Sequence, residues 1–461
     1  MLGRDKTRNA VSPEKGAPVE WDIKTGRNIK WTAPLGSIVV AEPIVAGGLV
    51  WIGTNNDEPR DPAQEAPGGV LACFRERDGA FLYQYLSIVT NRLGRRTVFG
   101  MTGSPMVEGD RLWFVSPAAE IHCLDTAMLR SAEGRPKPIW RLDMLDDLGI
   151  FPTIDIMGGK GMCSIGASHG DLIYVITGNG VDWTQSNVPA PLAPSLVCVN
   201  KNTGKILWED HSSGTNIIFG EFASPLVIEA GGGAQVIAPQ GDGWVRSFEA
   251  KTGKLLWKFD INPKATERRF GRNLFLNSPV FHAGHVYIAG GRNVELGEGP
   301  GRLVCLDPTK RGDVSLELED RPGTGKPNPN SAAVWHFDEL KRTISNVAVH
   351  DGLVVAVDFS GFLYCLDAAT GRKLWKHDMR AHVWGSPLIA DSKIYLGDED
   401  GEFYVFELAR EKKLLFEAEF DAPAYSSPIF ANGVLYIATS GKLFAIQQGA
   451  SSPPPSEPKK P

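Results

Sequence analysis

A unit of four short strands recurs along the whole chain, and it sets the fold. The clearest copy, Ile344–Lys376, reads ISNVAVHDGLVVAVDFSGFLYCLDAATGRKLWK. It parses as strand, Asp-Gly turn, strand, Ser-Gly turn, strand, Thr-Gly turn, strand, which is an antiparallel meander. First strands recur near residues 42, 103, 163, 223, 277, 344, 385 and 426, giving eight copies. A unit repeated at this spacing is one blade, which buries its faces only against its neighbours.

Three of the four strands carry their own mark. Many first strands open with Ser-Pro: Ser104-Pro105, Ser224-Pro225, Ser278-Pro279, Ser386-Pro387 and Ser427-Pro428. Proline at the first position of a strand sacrifices no ladder bond, so these pairs mark the innermost strand. Third strands end in Cys-Leu-Asp at Cys123, Cys305 and Cys365. Fourth strands carry Trp140, Trp208, Trp257, Trp335 and Trp375, with Tyr83 and Phe416 in two weaker copies. The eighth copy supplies only three strands, over Ser426–Ile446. Lys24-Thr25-Gly26-Arg27-Asn28-Ile29-Lys30-Trp31 matches the missing turn and fourth strand, Lys251–Trp257. The N-terminal segment therefore closes the ring and removes a free sheet edge. The expected architecture is all-β: an eight-bladed β-propeller of four-stranded antiparallel blades over residues 19–447. Residues 1–18 form an N-terminal extension, and the Pro-rich 448–461 a disordered tail.

With the repeat in place, the turn-plus-Trp motif Ala369-Thr370-Gly371-Arg372-Lys373-Leu374-Trp375 resembles the tryptophan-docking motif of quinoprotein dehydrogenases, which use pyrroloquinoline quinone (PQQ). It equally resembles the repeats of the outer-membrane-assembly lipoprotein BamB, which has the fold without the quinone. The chain is thus similar to the PQQ-like propeller repeat family, including its unassigned bacterial members, through residues 19–447. The resemblance implies a periplasmic or other extracytoplasmic location. The N-terminal Met1-Leu2-Gly3-Arg4-Asp5-Lys6 itself carries no apolar signal core. No run of 18 apolar residues is long enough to span a membrane. A net charge of −6, with no run of five like charges, argues against a nucleic-acid groove. A monomer is expected.

The candidate chemistry is thin. Cys73, Cys123, Cys198, Cys305 and Cys365 share one repeat position, filled elsewhere by Ser247, Val405 and Ala445. This is a small packing site, and equivalent positions in different blades lie too far apart for disulfides. Only Cys163, on a first strand, falls outside it. Asp398-Glu399-Asp400-Gly401-Glu402 offers hard oxygen ligands but equally fits a polar turn. His169, His282, His285 and His350 lie near hairpin turns without metal-ligand spacing, so no metal site is assigned. Trp244 and Trp384 each follow a loop expected to face the central funnel, where packing and ligand contact are both open readings.

Insertions say more. Thr54–Gly68, Gly180–Pro194 and Arg292–Pro300 lengthen connections between second and third strands. Leu86–Met101, Met144–Met162 and Ile261–Leu276 lengthen connections between blades. All six belong on one face, over blades one to five, where a rigid scaffold displays binding loops. Thr126–Lys137 and Pro308–Asn330 are expected on the opposite face.

Two functions follow. One is a non-catalytic scaffold of the cell envelope, holding a protein or envelope partner on the insertion-rich face. The other, implied by the resemblance, is a PQQ-dependent oxidoreductase with quinone and calcium in the funnel. Its candidate residues are Glu221, Arg272, Asn273, Arg342, Asp358, His382, Trp384 and Asp398. If Trp31 lies on the outer strand of the last blade, deleting residues 1–35 exposes an open edge. The truncated protein is expected to aggregate or to melt well below the parent in a thermal scan. Unchanged melting of a soluble truncation would contradict closure by the N-terminal strand.

Overall fold

The computed structural model describes residues 6–88, 99–130, 134–153, 165–266, 271–294, 297 and 299–451. Eight antiparallel sheets stand around a central channel as an eight-bladed propeller. In the sixth blade the strands run from the channel outward as Ala348–His350, Leu353–Val357, Phe362–Asp367 and Lys373–Asp378. The second strand, Leu-Val-Val-Ala-Val, is buried at every position because neighbouring blades cover both of its faces. A continuous apolar run therefore replaces the alternation of a half-exposed strand.

The ring closes as the repeat implied. Arg27–Pro34 pairs antiparallel with Lys442–Ser451, placing Trp31 opposite Ala445 as the outer strand of the eighth blade. That pairing carries Lys442–Ser451 four residues beyond 447, with Ser451 opposite Arg27. Cys163 and the segment where the third blade's inner strand was expected to start lie outside the described residues. That blade is described from Ile165–His169 onward.

The fourth-strand tryptophans latch each blade to the next. Trp31, Trp140, Trp335 and Trp375 donate their indole N–H groups to the carbonyls of Glu76, Lys201, Ala368 and Ala409, each at 2.9 Å. Trp208 does the same to Ala250 at 3.0 Å. Each acceptor lies at the turn between third and fourth strands of the following blade. Gly371 in such a turn has φ +71°, and a Cβ there would meet Trp335 Cε3 at 2.5 Å. The turn glycine is thus set by close approach of an indole as well as by left-handed backbone.

The cysteine position lies beneath this latch. Cys365 pairs across the sheet with Trp375 and Val355, and Ser247 with Trp257 and Ile237. A bulky outer-strand aromatic leaves room only for a small neighbour. Burial pushes the Cys123 thiol up to about 11 and those of Cys198, Cys305 and Cys365 up to about 12, so they are inert.

Around the channel, the residues that lead into the inner strands form a second belt. Ser278 N–H donates to Asn346, Asn346 N–H to Ser386 Oγ, and Ser386 N–H to Ser427 Oγ, at 2.7, 2.9 and 2.9 Å. Ser426 Oγ continues the belt to the Ala41 carbonyl at 2.8 Å.

One insertion does not lie where the sequence placed it. Residues 308–330 leave the lower turn of the fifth blade, but Gly312–Asp313 pairs parallel with the fourth blade's outer strand, Leu255–Asp260. The segment then climbs to a hairpin, Glu317–Arg321 with Thr324–Pro327, beside Lys264 on the insertion-rich face. The free edge of the fourth blade draws the segment upward, since its backbone groups need partners. The insertion also replaces the turn that would receive Trp257. That indole instead donates to Gln235 Oε1 at 2.9 Å, and Gln235 passes a bond on to the Pro308 carbonyl at 3.1 Å.

Gly371→Ala is expected to cost about 1–2 kcal/mol in backbone conformation alone, before the clash with Trp335. Trp375→Ala should cost about 3–5 kcal/mol through loss of a large buried ring. Urea unfolding of each variant measures both. A neutral Gly371→Ala would remove the latch from the account.

Candidate functional site

The insertion-rich face is built from stitched loops. Isolated bridges join Pro152 to Asn179, Gly180 to Gly220, Leu274 to Gly291 and Pro300 to Lys341. These tie the long second-to-third-strand connections of blades three and five to the neighbouring blade-to-blade connections. The eight funnel candidates fall into two separate groups on this face.

The first group surrounds the third and fourth blades. Glu221 is fully buried and accepts from Gly241 N–H at 2.8 Å, with the Ser195 and Ser213 hydroxyls close by. Burial, and then the charge of Asp242, push its carboxyl up to about 8. Asp242 itself holds Arg246 in a two-pronged pair at 2.7 and 3.0 Å. Asp260 binds Lys264 Nζ at 3.0 Å and Arg272 Nη2 at 2.9 Å. Asn273 exchanges backbone bonds with the Asn262 side chain at 2.7 and 3.0 Å. Trp244 does not enter the funnel. It sits opposite Asp260 of the outermost strand, with Lys258 and Lys264 ammonium groups 4.7 and 4.6 Å from its ring centroid. A cleft of about 730 Å³ opens here between Asn216, Trp244, Lys264, Arg272 and the climbing hairpin at Glu319 and Gly323.

The second group lies over blades six to eight. The Arg342 guanidinium sits 4.9 Å from the Phe359 ring centroid, and His382 stacks on the same ring at 4.6 Å. Glu399 binds His382 Nδ1 at 2.8 Å and accepts from Trp384 Nε1 at 2.9 Å. Trp384 meets Phe359 and Tyr425 edge-on, each at 5.3 Å. Asp358 and Asp398 cap the turns that follow their own second strands. Asp358 accepts from Phe362 N–H at 3.0 Å and the Tyr364 hydroxyl at 3.2 Å. Asp398 accepts from Asp400 and Glu402 N–H at 3.1 and 3.0 Å. The acidic run at 398–402 is therefore a turn, and burial pushes Asp398 up to about 7.

A calcium-quinone site would need several of these carboxylates to converge on one point of the funnel. Glu221 belongs to the first group, and Asp358 spends one oxygen on its own turn and the other on Tyr364. Asp398 spends Oδ1 on its own turn, while its buried Oδ2 has no hydrogen-bond partner among the described residues. Among the described residues no three His, Cys, Asp or Glu side chains converge as ligands. The candidates do not fit such a site. Phe359 and Tyr425 were missed by the sequence reading, as were Arg246, Lys258, Asp260 and Lys264, and Glu399 was read only as part of the acidic run 398–402. The repeat register held a signal for two of them: Phe359 and Glu399 each follow a turn-capping aspartate.

Latched blades, a small residue beneath each outer-strand aromatic and a loop-bearing face define a propeller of the PQQ-like class. A family model described as outer membrane protein assembly factor BamB matches residues 132–310 and 326–450, and the chain belongs to this family. BamB of Kangiella koreensis is 25% identical over 185 residues, which is 37% of this chain and 48% of that protein. A quinoprotein ethanol dehydrogenase of Pseudomonas putida is 32% identical over 107 residues, or 22% of this chain and 16% of the enzyme. The chain thus spans about half of the first relative and a small part of the second. The crystal structure of BamB from Moraxella catarrhalis superposes with a TM-score of 0.58 at 14% identity, covering 90% of this chain and 98% of that one. It shares the fold. No helix among the described residues is long and apolar enough to cross a membrane.

Glu221 supplies a pH test. Its carboxyl rises from the ordinary 4.5 to about 8 in the folded protein. Folding takes up a proton between these values, so its contribution to stability is full below the lower one and is lost as pH rises through the upper. Glu221→Gln should match the parent's melting near about pH 5 and exceed it near about pH 8.5. Parallel melting curves across that window would contradict the assignment.

Proposed function

We propose that the chain is a non-catalytic binding scaffold of the bacterial cell envelope, holding a protein partner on its insertion-rich face. One observation carries this reading: stitched loops and a displaced hairpin gather on that face over blades three to five. Connections over blades six to eight stay short, leaving the aromatic group around Phe359 accessible beside them. Long loops held by bridges and salt links keep their shape without a ligand, which limits the ordering cost of binding. The charged groups around Trp244 are largely paired in advance, suiting recognition of a polar protein surface. The match to assembly factors of outer membrane proteins supports a partner within that machinery and an extracytoplasmic location.

Shortening Gly180–Pro194 and the hairpin 317–327 to tight turns tests the reading, with melting temperature as the control for folding. Loss of partner capture from solubilised outer membranes, with no PQQ binding by the parent, is the expected outcome. The rival reading, a PQQ- and calcium-dependent oxidoreductase, requires micromolar or tighter PQQ binding that Arg342→Ala abolishes. That result would replace the scaffold with the enzyme.

A further inference from the structure

The N-terminal extension enters the central channel and binds there as a strand. Val11–Ser12 pairs parallel with the seventh blade's inner strand, Leu388–Ala390, through Val11 opposite Ile389. Ile389 N–H donates to the Ala10 carbonyl at 2.8 Å, and Phe281 N–H of the fifth blade to the Thr7 carbonyl at 2.9 Å. Between them, the Asn9 carboxamide imitates a peptide group. It donates to the Val349 carbonyl at 2.7 Å and accepts from Val349 N–H at 2.9 Å in the sixth blade. Residues 7–12 thus cross blades five, six and seven by joining the same point of each inner strand.

That point is fixed by the hairpin register. Every blade here has a three-residue inner strand, turning back after two residues. Phe281, Val349 and Ile389 are the middle residues, whose backbone groups point away from the second strand and into the channel. The eighth, first and second blades repeat this register in Ile429–Ala431, Ile44–Ala46 and Met106–Glu108. Their middle residues are Phe430, Val45 and Val107. No described strand pairs with these three inner edges. All three residues line one cavity of about 400 Å³, together with Val11 and Leu388. Gly47 and Asn432, from the hairpin turns, also line it, on the face opposite the long loops.

We propose that this half of the channel is a strand-acceptor site for an extended peptide segment of a protein partner. The segment would bind beside residues 10–12 and continue around the ring the mode that residues 7–12 use on blades five to seven. Backbone bonds to Phe430, Val45 and Val107 supply the attachment, as in other cases of strand addition. The lining around Ile44, Val45, Val107 and Ile429 selects small or β-branched residues, and a carboxamide such as Asn at one position. This site is independent of the loop face.

The probe is a synthetic peptide of the chain's own Lys6–Pro13 sequence, Lys-Thr-Arg-Asn-Ala-Val-Ser-Pro, with a photo-crosslinker in place of its valine. Titrated against the full chain, it should bind saturably below about 1 mM, with crosslinks confined to residues 43–47, 106–107 and 428–432. Val45→Pro removes the channel-facing N–H at a position outside the ladder, where proline is tolerated. It should weaken binding by about tenfold or more without moving the melting temperature. Should that variant misfold, Ala46→Trp, which fills the cavity, should weaken binding to the same degree. Crosslinks at Phe281, Val349 or Ile389, crosslinks on the loop face, absent saturation, or binding unaffected by the folded variant would each overturn the proposal.

Discussion

The tryptophan latch between neighbouring blades is the interaction on which the rest of this molecule depends. The four-strand pairing within a blade completes that blade but does not join it to the next. That task falls to apolar contact across blade faces, and the indole N–H fixes its register. Five latches end on a turn carbonyl of the following blade at 2.9–3.0 Å. Each covers a large aromatic, fully at Trp31, Trp335 and Trp375 and in part at Trp140 and Trp208, and leaves no unpaired indole donor, two requirements that usually conflict in a core. Where the 308–330 insertion removes the receiving turn, Gln235 relays the bond to Pro308, so the junction keeps its polar closure.

A closed ring leaves two kinds of backbone without partners: outer edges and the channel edge. The protein treats both by adding strands. Gly312–Asp313 covers the fourth blade's outer strand, and Val11–Ser12 covers the seventh blade's inner one. The first addition carries a hairpin up to the loop face and so shapes the cleft beside Trp244. The second fills part of the channel and leaves the rest open. In both cases an edge that invites pairing has been turned into a positioning device.

The fold was legible because the repeat stated it eight times. Ser-Pro, Cys-Leu-Asp and Thr-Gly with Trp are each read at one strand position, and ring closure followed from matching Lys24–Trp31 to Lys251–Trp257. The candidate site was less legible, since its residues lie where the repeat is broken. Asp358 ranked as a funnel acid because sequence does not show that it bonds its own turn, whereas the run 398–402 already fitted a polar turn. Arg342, His382 and Trp384 do come together, through Phe359 and Glu399, whose one sequence signal is a place directly after a turn-capping aspartate. Residues 308–330 were placed on the wrong face because loop position was read from its endpoints. The pull of an unpaired edge on another blade leaves no local signature. Asn9 was invisible for a related reason: a side chain standing in for a peptide group is recognised only when its partner is in view.

On the proposed reading, a latched ring holds structured loops over blades three to five as a recognition face. Hydrogen exchange read by mass spectrometry, on the protein alone and in complex with its captured envelope partner, tests this most directly. Blade strands should be slow in both states, and protection on binding should rise over residues 180–194, 214–221 and 317–327. Protection confined to the funnel around Arg342, His382 and Trp384, with those loops unchanged, would contradict it.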